Sequence, residues 1–335
     1  MKKWGVAWSS KFEGVITSIE FNKNGIAISN NKNIEFLDYN GNKKWKIKMP
    51  FKPYKLHSNG NLMGILMGNG FIVIDTEKGE QLHEGRSTQG GFSEIISRPG
   101  GGWLLSDRHN QIHLFNQEGF GIKRLFSGKI RTLAGWLDRE HLIVHDGDGC
   151  LRCIRLLTDS TQRQIEDKIW SWTSKLHNGE ILLQSLDGNI WRGKPNPTGW
   201  DDLILSSESC IDPFNAIWTN DNWWIIDMNN KINNIHNNQS FEKFGHIIAS
   251  NSNDIFAVAD NNGILRIIES EELIQKRNEK ISFEYEKLKH SLFTEERRTK
   301  FKLAKNAERK GDFEKASKLF HSLGIINNFS TEEEE

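Results

Sequence analysis

Short apolar runs recur along the first 269 residues, each followed by a polar turn and a second apolar run. The first runs are Ile26-Ala27-Ile28, Ile65-Leu66-Met67, Trp103-Leu104-Leu105, Leu142-Ile143-Val144, Ile181-Leu182-Leu183, Trp223-Trp224-Ile225-Ile226 and Ile255-Phe256-Ala257-Val258. The second runs start at Ile34, Phe71, Ile112, Leu151, Ile190, Ile232 and Ile264, at intervals of 37, 41, 39, 39, 42 and 32 residues. Runs this short, rich in β-branched and aromatic residues, read as strands. A self-similar period near forty residues is that of a repeated four-stranded sheet.

The turns agree with strands rather than helices. Asn24-Gly25, Asn59-Gly60, Asn69-Gly70, Asn178-Gly179, Asp187-Gly188 and Asn262-Gly263 lie between apolar runs, and such pairs supply the positive φ of tight hairpins. The first unit reads as four strands, Val15–Phe21, Ile26–Ser29, Ile34–Asp38 and Lys43–Met49. The seventh offers three, His246–Ser250, Asp254–Ala259 and Gly263–Ile268, and then a helical pattern begins. Lys2-Lys3-Trp4-Gly5-Val6-Ala7-Trp8 is similar to Lys43-Lys44-Trp45-Lys46-Ile47-Lys48. Residues 2–8 are therefore expected to supply the missing fourth strand and close a ring with no gap between its ends, which limits the edge exposure that invites aggregation.

Charge separates a second region. From Ser270 to Glu335 there are 14 acidic and 14 basic residues in 66, against 30 of each in the preceding 269. All 12 Trp lie in the first region, where large aromatics are expected to fill the spaces between sheets. Trp170 and Trp172 are expected on one strand face, and Trp223-Trp224 on two. Ser270 reads as a helix N-cap, with Glu271 and Glu272 matching the helix dipole. A heptad seam of Ile274, Asn278, Ile281, Tyr285, Leu288 and Leu292 follows. Thr294 with Glu295 and Glu296 reads as the start of another helix, and Glu332–Glu335 as a disordered acidic end. The expected division is 1–269, 270–330 and 331–335.

The formal net charge is zero, which excludes a chain-wide basic footprint for nucleic acid or anionic membrane. No stretch approaches the ~18 consecutive apolar residues of a membrane span, and the N-terminal segment has no apolar run of signal-peptide length. Three Cys in 335 residues exclude a disulfide scaffold and make a reducing, cytoplasmic compartment the expectation.

Ile34-Glu35-Phe36-Leu37-Asp38-Tyr39-Asn40-Gly41-Asn42-Lys43-Lys44-Trp45 resembles the repeat of pyrroloquinoline-quinone-type propellers, and Phe71-Ile72-Val73-Ile74-Asp75-Thr76-Glu77-Lys78-Gly79 echoes it. Residues 2–269 thus look like a seven-bladed β-propeller of the WD-repeat or quinoprotein-like kind. No unit carries both the Gly-His and the Trp-Asp dipeptide of WD repeats, and later units lose the quinoprotein motif. The segment from Leu303 through Gly311, Phe313 and Ala316 to Phe320 and Leu323 resembles one tetratricopeptide-type helical hairpin. These resemblances imply a mainly β fold with a short α-helical C-terminal region.

Catalytic signatures are missing from the sequence. Cys150-Leu151-Arg152-Cys153 has zinc-like spacing with only Cys210 left as a further thiol, so the cysteines read as structural. Asp146-Gly147-Asp148-Gly149 lacks the later ligands of a calcium loop and reads as a hairpin turn. The glycines at 90–91 and 100–102 fit no phosphate loop, and neither Gly-x-Ser-x-Gly nor His-Glu-x-x-His occurs. His109/His113 and His141/His145 lie in strand-and-turn segments, where residues four apart stand ~13 Å from each other. The expectation is a non-enzymatic scaffold for an unidentified protein partner, with no cofactor, metal or membrane. Expected contact residues are Arg86, Arg108, His109, Asp146 and Asp148 around one mouth, because loops on a rigid scaffold carry binding, and Phe313 and Phe320 in the tail. The alternatives are a small-ligand or quinone-type enzyme, and nucleic-acid association through the basic run Arg297, Arg298, Lys300, Lys302, Lys305, Arg309 and Lys310.

Overall fold

Each pair of apolar runs forms two neighbouring strands of one antiparallel sheet, and the first run is apolar at consecutive positions because both sheet faces are covered: every residue of Gly25–Asn30, Trp103–Asp107 and Ile181–Ser185 is buried. The computed structural model describes residues 3–325 apart from 83–85, 88–89, 157–160, 208–212, 220–221, 237–238, 243, 252–253 and 292–294. Backbone contacts divide the chain into two units, Met1–Ser270 and Glu271–Glu335.

After β1 (Trp4–Lys11), a first sheet runs in chain order through β2 (Ile16–Asn22), β3 (Gly25–Asn30), β4 (Asn33–Leu37) and β5 (Lys43–Lys48). The next sheet is β6 (Pro53–Asn59), β7 (Leu62–Met67), β8 (Gly70–Asp75) and β9 (Arg86–Ser87). A third follows as β10 (Phe92–Ser97), β11 (Trp103–Asp107), β12 (Gln111–Phe115) and β13 (Gly121–Phe126). Then β14 (Ile130–Trp136), β15 (His141–Asp146), β16 (Cys150–Arg155), β17 (Thr161–Thr173), β18 (Ile181–Ser185), β19 (Ile190–Asn196) and β20 (Gly199–Ser207) form seven consecutive strands. The unit ends with β21 (Pro213–Thr219), β22 (Asn222–Asp227), β23 (Ile232–Asn234) and β24 (Ser240–Phe241), and with β25 (Ile247–Ser250), β26 (Ile255–Ala259) and β27 (Ile264–Ser270). Every second run of the sequence repeat begins within one residue of a strand start: β4, β8, β12, β16, β19, β23 and β27.

The seven-stranded sheet departs from a strict four-strand period. Thr161–Thr173 contains neither Gly nor Pro, so β17 continues for 13 residues. Its first part pairs with β16 and its last residues, from Trp170, pair with β18. A bulge falls between Trp170 and Trp172, and this breaks the expected sharing of one face. Trp170 joins Ile143, Leu151 and Leu183, whereas Trp172 packs with Leu182, Ile190 and Trp223. Trp223 and Trp224 do divide between two clusters.

Strand β1 joins the last sheet, pairing with β27 from Trp4↔Ser270 to Lys11↔Ile264. Trp8 stands opposite Ile267 in this ladder as Trp45 stands opposite Phe36 in the first sheet, so Trp8 rather than Trp4 is the counterpart of Trp45. Both reach into the following sheet. The Trp8 indole donates to the Tyr39 carbonyl at 3.1 Å, and the Trp45 indole donates to the Thr76 carbonyl at 2.8 Å. Beneath them lie Gly41 and Gly79, where a Cβ would meet the rings at 3.3 and 2.9 Å. Glycine is needed at both places for the close approach and for φ of +87° and +73°.

The apolar core lies between successive sheets. Ile34, Phe36 and Met49 meet Met63, Ile65, Ile72 and Ile74, and Phe21, Ile26 and Ile28 meet Ala257, Leu265 and Ile267. First strands of neighbouring sheets stand side by side: β2 by β6, β6 by β10, β10 by β14, β21 by β25, and β25 by β2.

In the second unit, α1 (Glu271–Ser291) starts directly after β27, with Glu271 and Glu272 in its first turn. Ser270 remains in the β1–β27 ladder and its buried hydroxyl makes no hydrogen bond, so the expected cap does not form. Leu288 packs with Ala304, Ala307, Ala316 and Phe320 of α2 (Glu295–Arg309) and α3 (Phe313–Ser322). Ile281 of the same seam is 57% exposed. Leu292, Thr294 and the acidic end lie outside the described residues, as do the side chains of Tyr285, Glu295 and Glu296. Gly311, at φ +75°, turns the chain between α2 and α3, and Asp312 accepts from the Lys315 amide as N-cap. Among the described residues no helix is long and apolar enough to cross a membrane.

Candidate functional site

Antiparallel order places the turn between second and third strands at the same end of each sheet as the link into its first strand. Direct contacts join these ends. The Thr17 hydroxyl donates to the Pro53 carbonyl at 2.8 Å, the Tyr54 hydroxyl donates to the Phe92 carbonyl at 2.7 Å, and Arg131 donates to the Gly147 carbonyl at 2.7 Å. Large apolar side chains stand exposed here: Val15 at 40%, Phe51 at 60%, Phe214 at 53%, Leu186 at 73% and Met228 at 65%.

The residues singled out in the sequence fall at this end, in different roles. Arg108 and His109 are exposed in the turn after β11, and Arg108 lies within electrostatic reach of Tyr54. Asp148 is exposed in the turn after β15. Arg86 pairs through its backbone with Phe71, and its side chain lies outside the described residues. Asp146 is buried, accepts from the Asp148 and Cys150 amides and meets Arg152 at 2.5 Å. Asp107, Asp227 and Asp260 hold their own turns in the same way, each accepting two amides on one oxygen. Asp146 is thus a turn-forming residue whose carboxylate is occupied inside the fold. In the second unit Phe313 is 52% exposed, while Phe320, at 2%, is spent on the hairpin core.

A second feature has no precedent in the sequence reading. The first strands bring a charged cluster together: Glu20 from β2, Lys55 and His57 from β6, Glu94 from β10, and Lys175 and His177 from the segment between β17 and β18. Glu94 joins two ammonium groups, Lys55 on one oxygen and Lys175 at 2.8 Å on the other. Lys175 also donates to the Leu133 carbonyl at 2.7 Å, so one carboxylate ties together strands of three sheets. Glu20 accepts from the Ser58 amide at 2.9 Å and lies 3.7 Å from His57 Nδ1. The sign that could have found the cluster is a polar residue alternating with apolar ones in first strands, as in Ile19-Glu20-Phe21, Lys55-Leu56-His57 and Glu94-Ile95.

Burial governs its protonation. It pushes the Glu20 carboxyl up to about 7, against the weaker pull of the Ser58 amide and the two lysines. Burial, reinforced by Lys175 and Lys55, holds His57 down to about 3, and burial with Lys175 holds His177 to about 4. For Glu94 burial acts upward, but the two ammonium charges overcome it and hold the group near about 2. His57 is therefore neutral at neutral pH, and its contact with Glu20 is not an ion pair.

These shifts set a pH prediction. Glu20 in the folded chain titrates above its unfolded value of 4.5, so its stabilising contribution is complete below pH 4.5 and lost as pH rises through 7. Glu20→Gln is expected to gain about 2–3 kcal/mol relative to the parent between acid and mildly alkaline solution. Urea unfolding on both sides of that window checks it, and a difference that does not change with pH refutes it.

Cys153 is buried with Ala134, Ile143 and Leu151, where burial pushes its thiol up to about 11. Cys150 begins the same strand, and Cys210 lies outside the described residues. His113 meets Asp107 at 2.7 Å, and the buried His145 ring bonds the Trp170 carbonyl. Among the described residues no three His, Cys, Asp or Glu side chains gather in a way that would hold a metal ion.

No family model matches this chain, and no curated protein matches it. Solved structures do. The Cps50 (Swd1) β-propeller domain of Myceliophteria thermophila is similar with a TM-score of 0.65 at 14% identity, over 80% of this chain and 99% of that one. BamB from Moraxella catarrhalis is similar with a TM-score of 0.55 at 13% identity, over 79% of this chain and 88% of that one. The sheet unit has the β-propeller fold.

Proposed function

We propose that this chain is a non-enzymatic protein-interaction scaffold, a seven-bladed propeller whose last blade takes its outer strand from the N-terminus. The blade count follows the seven third strands, with β17 shared by two blades, and the ring closes through the β1–β27 ladder. The tail from 270 is read as a separate helical region with a tetratricopeptide-like hairpin and Phe313 as a second contact point. Three cysteines, one of them deeply buried, favour a reducing, cytoplasmic setting.

The observation that carries the reading is the set of uncovered apolar side chains at one end of the sheets, beside Arg108, His109 and Asp148. Propellers serve many roles, and this end supplies the apolar anchors that interfaces place at their centres. Replacing Phe51, Phe214 and Met228 together by Ser is expected to cut partner capture by full-length protein at least about tenfold. Replacing exposed Phe120 and Ile122, away from this end, should leave capture unchanged. Quantitative mass spectrometry of captured proteins checks both, and equal capture by the two variants refutes the scaffold surface.

A further inference from the structure

The exposed charges at the end bearing the second-to-third-strand turns are unevenly shared among the sheets. Over the arc from β2 to β16 the exposed cations include Lys32, Lys52, Arg108, Lys129 and Arg131, against Glu13 and Asp148 among the described residues. Beyond β16 the exposed charges at this end among the described residues include Asp167, Asp187 and Glu242, the last paired with Lys231 at 3.8 Å. Phe51 and Val15 stand uncovered within the basic arc. Tyr54, whose hydroxyl is already bonded to the Phe92 carbonyl, lies near Arg108 and presents its ring. The hydrogen bonds from Thr17 to Pro53 and from Tyr54 to Phe92 hold the first three sheets of this arc in register.

We infer that the basic arc binds an acidic polypeptide segment carrying apolar anchors, with Phe51, Tyr54 and Val15 receiving the anchors and Lys32, Lys52, Arg108 and Arg131 facing its carboxylates. This rests on the scaffold reading and adds the chemistry of the partner. Complementary charge selects such a partner and speeds its encounter, while the apolar contacts hold it. A nucleic acid would satisfy the cations, but it could not bury aliphatic Val15 as an apolar anchor site does. The chain's zero net charge also gives it no wider field to hold a polyanion.

The test uses full-length protein and a fluorescein-labelled peptide of about twelve residues, roughly 40 Å when extended, alternating Glu or Asp with Leu or Phe. Its comparators are the same peptide with Lys for every acid, an oligo-glutamate, and a single-stranded oligonucleotide of similar length. Binding of the acidic apolar peptide alone is expected by fluorescence anisotropy, weakening severalfold as salt shortens the screening length. Changing Lys52, Arg108 and Arg131 together to Glu should weaken it at least about tenfold. The corresponding Gln variant, with the parent's unfolding midpoint, should give an intermediate loss. Equal or tighter binding of the lysine peptide or the oligonucleotide overturns the inference, and so does indifference to the charge reversal. If no probe binds while partner capture still depends on Phe51, Phe214 and Met228, the acidic partner falls and the scaffold stands. If capture is also indifferent to those three, both fall.

Discussion

A chain lacking residues 1–11 is expected to lose cooperative folding of its sheet unit. Strand β1 supplies the outer ladder of the sheet that contains β25–β27. It also packs Trp4 against both Trp224 and Phe256, at ring-centroid distances of 5.5 and 5.6 Å. Trp8 then bonds the Tyr39 carbonyl of the first sheet. Truncation removes both indoles and leaves β27 as an unpaired edge, which invites association. Removing one buried Trp costs about 3–5 kcal/mol, and the ladder adds to it, so the total approaches the ~5–15 kcal/mol by which a domain is stable. Circular dichroism melts and size-exclusion chromatography should show no sharp transition and aggregated material. Trp4→Ala, which keeps the ladder, should unfold in urea about 3–5 kcal/mol below the parent. A truncated chain melting with the parent's midpoint would show that the N-terminal strand is dispensable.

Glu94→Gln is the second large effect. The substitution keeps the shape but removes the charge that two ammonium groups share. Removing one partner of a fully buried pair costs about 3–5 kcal/mol. With Lys55 and Lys175 about a third exposed, at 32% and 33%, water screens part of the loss and about 2–3 kcal/mol is expected. The folded Glu94 titrates below its ordinary value, so its contribution is present above pH 4.5 and lost as pH falls through 2. Parent and variant should therefore converge in acid. Adding Lys55→Met to Glu94→Gln should recover much of the loss, because an apolar replacement leaves one cation fewer to desolvate. Urea unfolding of the three proteins measures this, and a Glu94→Gln midpoint equal to the parent's would remove the cluster from the account of stability.

Strand positions were legible because each unit repeats the same local chemistry. Ile34, Phe71, Ile112, Leu151, Ile190, Ile232 and Ile264 all fall at or next to strand starts, and Asn or Asp with Gly marks many of the turns. Asp107, Asp146, Asp227 and Asp260 were equally legible as a repeated turn-forming residue, each a few positions before a third strand. Asp146 belongs to that period, and its carboxylate serves the turn. The split of Trp170 from Trp172 was not legible, since it depends on a one-residue bulge against β18. The hydroxyl of Ser270 was assigned to a helix cap by its neighbours in sequence, whereas pairing with Trp4, distant in sequence, holds it in a ladder.

The amino-acid sequence by itself determined the repeated strands, their hairpin turns and the helical region beyond residue 270. These follow from side-chain period, β-branching and positive-φ turn residues, which act over a few positions along the chain. Only the tertiary structure decided which charges meet. Glu94 and Lys175 are 81 residues apart and 2.8 Å distant, and Lys32, Lys52, Arg108 and Arg131 come from separate sheets. The packing of first strands against one another sets these neighbours, and with them the protonation of the cluster and the charge of the exposed arc. Coulomb energy depends on distance in space and on local solvation, and neither quantity is written in the order of residues.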